Sequence, residues 1–258
     1  MFTSLTSLYP LLIPFLLVAF RVMGIFLFAP FFSNSSIPAN IRILLSLAIT
    51  VCVWTVVPHD AKIQPNILTI IVAIAGEMTV GLLIGLLLAA VFAGIQLGAH
   101  LVSQQMGLSL ATLYDPSFED QSTVMEQVAF WIALVVFLSM GGHRQVISAI
   151  VYSYRTVPMG QGGISPEIML SSLCGALDAS FHAAVRIAMP SLVAFFIATL
   201  VTGLMSRSMP QMNLMTMGVT INLVVGFAMV MVGLTAWALV SQQSFQGLNH
   251  ALEKLFAL

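Results

Sequence analysis

The sequence predicts an all-α, integral membrane-associated fold of long, broken helices packed against other protein chains. Three observations carry this expectation. The chain of 258 residues is 59% hydrophobic and 7% charged, whereas a soluble domain carries about 25% charge, so it cannot keep a soluble surface of its own. Residues 67–103 form an apolar run of 37 residues in which Glu77 is the only formal charge. As one helix that run is about 55 Å long, against a hydrocarbon core of about 30 Å, so one straight span does not fit. Finally, the eight Lys and Arg are scattered, and the short loops show none of the cationic bias that orients a simple membrane bundle. Over-long apolar runs with weak topology signals point to helices buried against other protein chains.

The elements follow in order. Tyr9 to Phe32 is apolar but interrupted by Pro10, Pro14, Arg21, Gly24 and Pro30, and it reads as an uncleaved membrane segment because no basic region precedes it. Ser33 to Pro38 is a turn, Ile41 to Val57 a second apolar run, and Pro58 to Pro65 a polar connection. After the 67–103 run, Thr123-Val124-Met125-Glu126 reads as a capping box that opens a helix to Met140. Gly141 to Gly163 is polar, with His143, Arg144 and Arg155. Ser165-Pro166-Glu167 is another helix start, with a capping serine, a first-turn proline and an acid at the positive end of the helix. Ile168 to Met205 is again too long for one span, and Arg207 to Asn213 reads as a tight turn with Pro210 opening the next helix.

The chain is organised around Gln104 to Glu126. No Asp, Glu, Lys or Arg occurs from Met78 to Tyr114, and then Asp115, Glu119, Asp120 and Glu126 bring four of the nine acids. Yet Met106, Leu108, Leu110, Leu113 and Tyr114 are too apolar for an idle solvated connection. Gly107 and Pro116 oppose helix formation. The segment reads as a functional insertion, with an external solvated loop as the plainer alternative.

These residues resemble the FliR family of flagellar export-gate subunits and their type III secretion counterparts. The resemblance rests on Gln105-Met106-Gly107-Leu108-Ser109, Ala111 and Asp115-Pro116. It extends to Arg21, Gly24, Pro30 and Pro38, to Gly142-His143, and to Ser153-Tyr154 with Pro158 and Gly160. Near the C-terminus, Arg207, Pro210-Gln211, Asn213 and Gly218 match as well. Leu110 departs from the family, where an aromatic residue is common. The resemblance implies a core subunit of a protein-export gate in the bacterial inner membrane, at the flagellar basal body. It implies FliP-type and FliQ-type partner subunits, FlhB-type and FlhA-type export proteins, membrane lipid around them and unfolded polypeptides as substrates. It divides the chain into a FliP-like region, 1–164, with a pore loop at 104–122, and a FliQ-like helical hairpin, 165–258. It also makes Gln105, Met106, Gly107, Leu108, Leu110, Leu113, Asp115 and Pro116 the plug of the closed pore.

Other motifs carry two readings each. Gly81 with Gly85, and Gly94 with Gly98, stand four apart, which lets helix backbones approach closely. Asp178, His182 and Arg186 lie on one helical stripe. A self-satisfying structural polar set is expected there, rather than a proton relay or metal pair. Arg207 is expected at the negative end of its helix. Met209, Met212 and Met215 belong to a methionine cluster that suits either core packing or a seal around a passing chain. Cys52 and Cys174, in apolar runs without metal-type spacing, are expected to be buried and inert.

The net charge of -1 gives no footprint for nucleic acid. No hydrolase elbow, zinc-protease motif or phosphate-cradling loop occurs, so neither an enzyme nor a cofactor is expected. The competing function is a secondary transporter for a small solute, motivated by Glu77, Asp178 and Arg186 inside apolar segments. Against it, the chain shows no internal repeat with paired breaks.

Overall fold

A computed structural model describes residues 2–30, 38–57, 66–108, 123–160, 164–208 and 214–256, with side chains described there except at 2–11 and 206–216. Among the described residues there are seven helices and no strand: α1 (Phe2–Phe28), α2 (Ala39–Trp54), α3 (Ile67–Gln105), α4 (Val124–Ser139), α5 (Gly142–Thr156), α6 (Pro166–Ser208) and α7 (Leu214–Leu255). The expected turn at 33–38 and polar connection at 58–65 lie largely outside the described residues.

Local chemistry explains the boundaries. Thr123 accepts from the Glu126 backbone N–H while the Glu126 side chain reaches back to the Thr123 N–H, so α4 opens on the expected capping box. Pro166 is the first residue of α6 and Glu167 the acid of its first turn. Gly141, at φ +71°, adopts the left-handed conformation that a side chain resists. There α4 and α5 meet at 66°.

The three longest apolar runs are each one helix, with 39 residues in α3, 43 in α6 and 42 in α7. They are therefore roughly 58–65 Å long. The expected interruption falls between α4 and α5 rather than inside these runs. α6 continues through Pro190, and α1 through Pro10 and Pro14. By length and composition α3, α6 and α7 can each cross a membrane, and the bent α4–α5 pair is a fourth candidate.

The chain forms two compact units. The first comprises Met1–Ala90, Gly141–Ala176 and Gln246–Leu258, and the second Val91–Met140 and Leu177–Phe245. α3, α6 and α7 each contribute to both.

In the first unit, Leu17, Val22 and Ile25 of α1 are buried with Val80, Leu83 and Ile84 of α3. Gly81 makes this packing possible, since a methyl group there would fall on the backbone carbonyl of Arg21. At Gly85 it would stand 2.9 Å from the Ile25 carbonyl oxygen. In the second unit Gly94 lies against the Ser180 backbone, and a Cβ at Gly98 would stand 2.8 Å from the Ala184 oxygen. Both glycine pairs are thus sites of close helix approach. The second core is aromatic: the Phe92 ring lies 5.7, 5.9 and 5.2 Å from those of Phe130, Phe137 and Phe245. Such tilted and edge-on contacts add to burial.

Coverage is uneven. In the most apolar window of α3 61% of residues are buried, against 22% in α6 and 17% in α7. Cys52 and Cys174, expected buried, are exposed. They sit on α2 and α6, where many large apolar side chains such as Leu44, Val51, Leu170 and Leu177 are also uncovered. Apolar sequence around a thiol marks a face avoiding water; it does not say that the same chain covers it.

Candidate functional site

The organising segment leaves α3 and enters α4 through a defined neck in the second unit. α3 ends because Gly107 takes φ +79°. The Gly107 N–H then reaches the Gln104 carbonyl at 3.1 Å and the Leu108 N–H the Ser103 carbonyl at 3.3 Å. This is the paired closure of a left-handed helix cap, and glycine is its natural occupant. On the other side Thr123 and Glu126 begin α4.

Glu126 joins the two sides. Its Oε1 lies 2.6 Å from His100 Nδ1 and accepts from the Thr123 hydroxyl at 2.7 Å and the Thr123 N–H at 3.3 Å. His100 Nε2 is 2.9 Å from Gln104 Nε2. One neutral tautomer satisfies both histidine contacts: Nδ1–H donates to the carboxylate and Nε2 accepts from the Gln104 amide. Each group orients the next, and the end of α3 is tied to the start of α4.

Met106 is fully buried, and a Cβ at Gly226 of α7 would overlap its side chain. Glycine at 226 therefore makes room for the methionine. Gln105 is exposed, and Gly107 and Leu108 are half-buried. Leu110, Leu113, Asp115 and Pro116 lie outside the described residues.

The first unit holds a buried polar node. Arg21 is completely buried, and every arm of its guanidinium is used. Nε donates to Glu77 Oε2 at 2.5 Å, Nη1 to Ser153 Oγ at 2.8 Å and Nη2 to the Val157 carbonyl at 3.0 Å. Glu77 Oε1 accepts from the Gly160 N–H at 3.1 Å. The guanidinium also lies 3.7 Å from the centre of the Tyr154 ring. The node joins α1, α3, α5 and the segment after α5. The available sequence signal was that isolated charges in apolar runs pair; the identity of the partners, 56 and 132 residues away, carried no local sign.

The α6 stripe is arranged differently from expectation. Asp178 and His182 stand 3.8 Å apart, each side chain 76% exposed. Arg186 turns to α7 instead, donating from Nη1 to Gln243 Oε1 at 2.9 Å. α6 ends at Ser208 and α7 starts at Leu214. Pro210, Met209 and Met212 lie outside the described residues, as do the side chains of Arg207 and Met215. No group of three His, Cys, Asp or Glu side chains is placed to hold a metal among the described residues.

Residues 12–248 match the family model described as bacterial export proteins, family 1. The chain is 26% identical to flagellar biosynthetic protein FliR of Bacillus subtilis (strain 168), over 99% of this chain and 98% of that one. It is 26% identical to the protein of the same name from Escherichia coli (strain K12), over 81% of this chain and 79% of that one. With the Aquifex aeolicus (strain VF5) protein of that name it shares 26% identity over 94% and 93%.

Proposed function

This chain belongs to the bacterial export proteins, family 1, and from that premise we propose that it is a non-enzymatic, membrane-associated subunit of a flagellar protein-export apparatus. The observation that carries the reading is the end-to-end similarity to a protein named flagellar biosynthetic protein FliR, 99% of one chain on 98% of the other.

The finer reading is that the chain helps form the channel for unfolded flagellar proteins in the inner membrane, at the basal body, beside FliP-type, FliQ-type, FlhB-type and FlhA-type proteins. Residues 1–164 act as the FliP-like part and 165–258 as the FliQ-like hairpin. The segment after Gln104 obstructs the closed pore. A closed passage needs apolar groups that exclude water yet yield without unpacking a core. Leu108, Leu110 and Leu113 supply them, while Asp115 and Pro116 keep the far end solvated and non-helical. The neck supports this assignment: buried Met106 anchors the α3 side, and Glu126 ties that side to α4. A segment whose two flanks are tied together can be displaced without loss of its attachment. Met209, Met212 and Met215 are proposed to seal around the passing chain, and Arg207 to sit at the end of α6.

The solute-transporter reading loses one support. Glu77 is engaged by Arg21 and Gly160 and is no free intramembrane carboxylate. Removal of the chain from its own cell tests the proposal. Cells lacking it should neither secrete flagellar subunits nor swim, and the restored gene should recover both. Normal flagella without the chain would refute it.

A further inference from the structure

We propose that the outward face of α5 binds the phosphate groups of anionic phospholipids, whose acyl chains run along the apolar outer face of the neighbouring α2. The inference stands apart from the export reading and needs only that the chain sits in a membrane.

The rotation of α5 is fixed from inside the first unit. Ser153 accepts from Arg21, and the Tyr154 ring lies against the same guanidinium. Ala149 and Ile150 are buried on that side as well. The opposite face therefore points away from the chain's own core. Arg144 and Arg155 lie on it, three helical turns apart, which separates them by about 20° around the axis and roughly 16 Å along it. Both are exposed, with exposed Ser148 and half-buried Val151 between them.

The charge on this face is unanswered. Neither α5 nor α2 contains Asp or Glu. Among the described residues neither guanidinium has an ion-pair partner. Arg155 lies instead over the ring of Tyr152, 4.9 Å from its centre, a contact that holds the cation along the helix surface. A guanidinium offers a planar fork of donors that fits two oxygens of one phosphate. The separation of the two arginines leaves room for a phosphate at each.

α2 supplies the other half of the site. It packs against α1 and α5, and its polarity is turned inward: Ser46, Thr50 and Val53 are buried, while Leu44, Leu47 and Val51 are exposed. The Ser46 and Thr50 hydroxyls donate to carbonyls of their own helix, those of Ile43 and Ser46. The polar side therefore needs no water, and its small side chains suit close packing of membrane helices.

An apolar face beside a cationic one matches a phospholipid read from tail to head. Water alone would leave the α2 side chains wet. Hydrocarbon alone would leave two arginines unpaired, which charges inside a membrane avoid. The headgroup level answers both needs, because basic side chains there gather anionic lipid. A helix with a basic polar face is the kind that lies in that interface.

Photolabelling of the full-length chain, in the complex it purifies with, tests the proposal. Phosphatidylcholine nanodiscs carry a trace of phosphatidylglycerol, or of phosphatidylcholine, with a photoactivatable group on one acyl chain. Irradiation should attach phosphatidylglycerol in clear excess over phosphatidylcholine, on peptides of α2. Arg144→Gln with Arg155→Gln should remove the excess, at about fivefold for each arginine and roughly 30-fold together. Arg144→Lys with Arg155→Lys should keep most of it, and this pair and the unaltered chain still decide the matter should the glutamine pair fail to accumulate. Equal capture of the two lipids by the unaltered chain would overturn the proposal. So would loss of the preference in excess inorganic phosphate, which would assign the arginines to a free anion. Benzoylphenylalanine at Ser148 should couple to lipid; coupling to another polypeptide instead would place protein on this face and overturn the assignment.

Discussion

Arg21 of α1 and Glu77 of α3 form a fully enclosed ion pair, Nε to Oε2 at 2.5 Å, with side-chain exposures of 0% and 3%. Neither charge is left to the apolar surroundings. Ser153 Oγ, the Val157 carbonyl and the Gly160 N–H take the remaining guanidinium and carboxylate groups. The node fixes where α1, α3 and α5 meet.

Breaking this pair from one side should be far more damaging than removing it whole. Arg21→Met leaves a buried carboxylate and Glu77→Leu a buried guanidinium, each costing about 3–5 kcal/mol. The double variant leaves no orphaned charge and should recover much of that loss. Chain abundance in membranes and thermal unfolding in detergent read the difference. Equal damage in single and double variants would contradict the node.

Glycine positions divide into tight and open. Gly81→Ala puts a methyl group on the Arg21 carbonyl, whereas Gly175 has nothing within 4 Å of the added carbon. Gly81→Ala should destabilise by about 1–3 kcal/mol through overpacking. Gly175→Ala should be neutral or stabilising by up to about 1 kcal/mol, because alanine favours the helix. Melting temperatures of the two variants check the contrast, and a reversed order would defeat it.

The neck predicts coupling. His100→Ala and Glu126→Ala each remove one side of the 2.6 Å contact. Glu126→Ala also abolishes the capping box at the start of α4, a loss of about 1 kcal/mol. In a double-mutant cycle the interaction energy should be about 0.5–3 kcal/mol. Strictly additive effects on unfolding would show that the contact carries no weight.

Much of the fold was legible because helix ends carry local chemistry. Thr123 with Glu126, and Pro166 with Glu167, mark the starts of α4 and α6 as read from sequence, and Gly107 marks the end of α3. Continuity was harder to read. Nothing inside α3, α6 or α7 says whether an over-long apolar run bends, and even Pro190 is absorbed within α6. The ion pair between Arg21 and Glu77 was illegible because its partners come from separate helices. The exposure of Cys174 was illegible for another reason: apolar residues look alike whether their own chain or another molecule covers them. At the neck, the polar and apolar halves of the segment were visible in sequence. The tie between His100 and Glu126 was not, since it depends on α3 and α4 lying side by side.

The most direct test of the central claim is the permeability of the closed assembly. Leu110→Ser with Leu113→Ser removes the proposed apolar stopper while sparing Met106, Gly107, His100 and Glu126, which form the neck. Ion and small-solute leak is then measured in cells that contain the fully assembled complex but export no substrate. The account predicts a leak well above that of the unaltered complex, with assembly preserved. An assembled variant complex as tight as the original would contradict it.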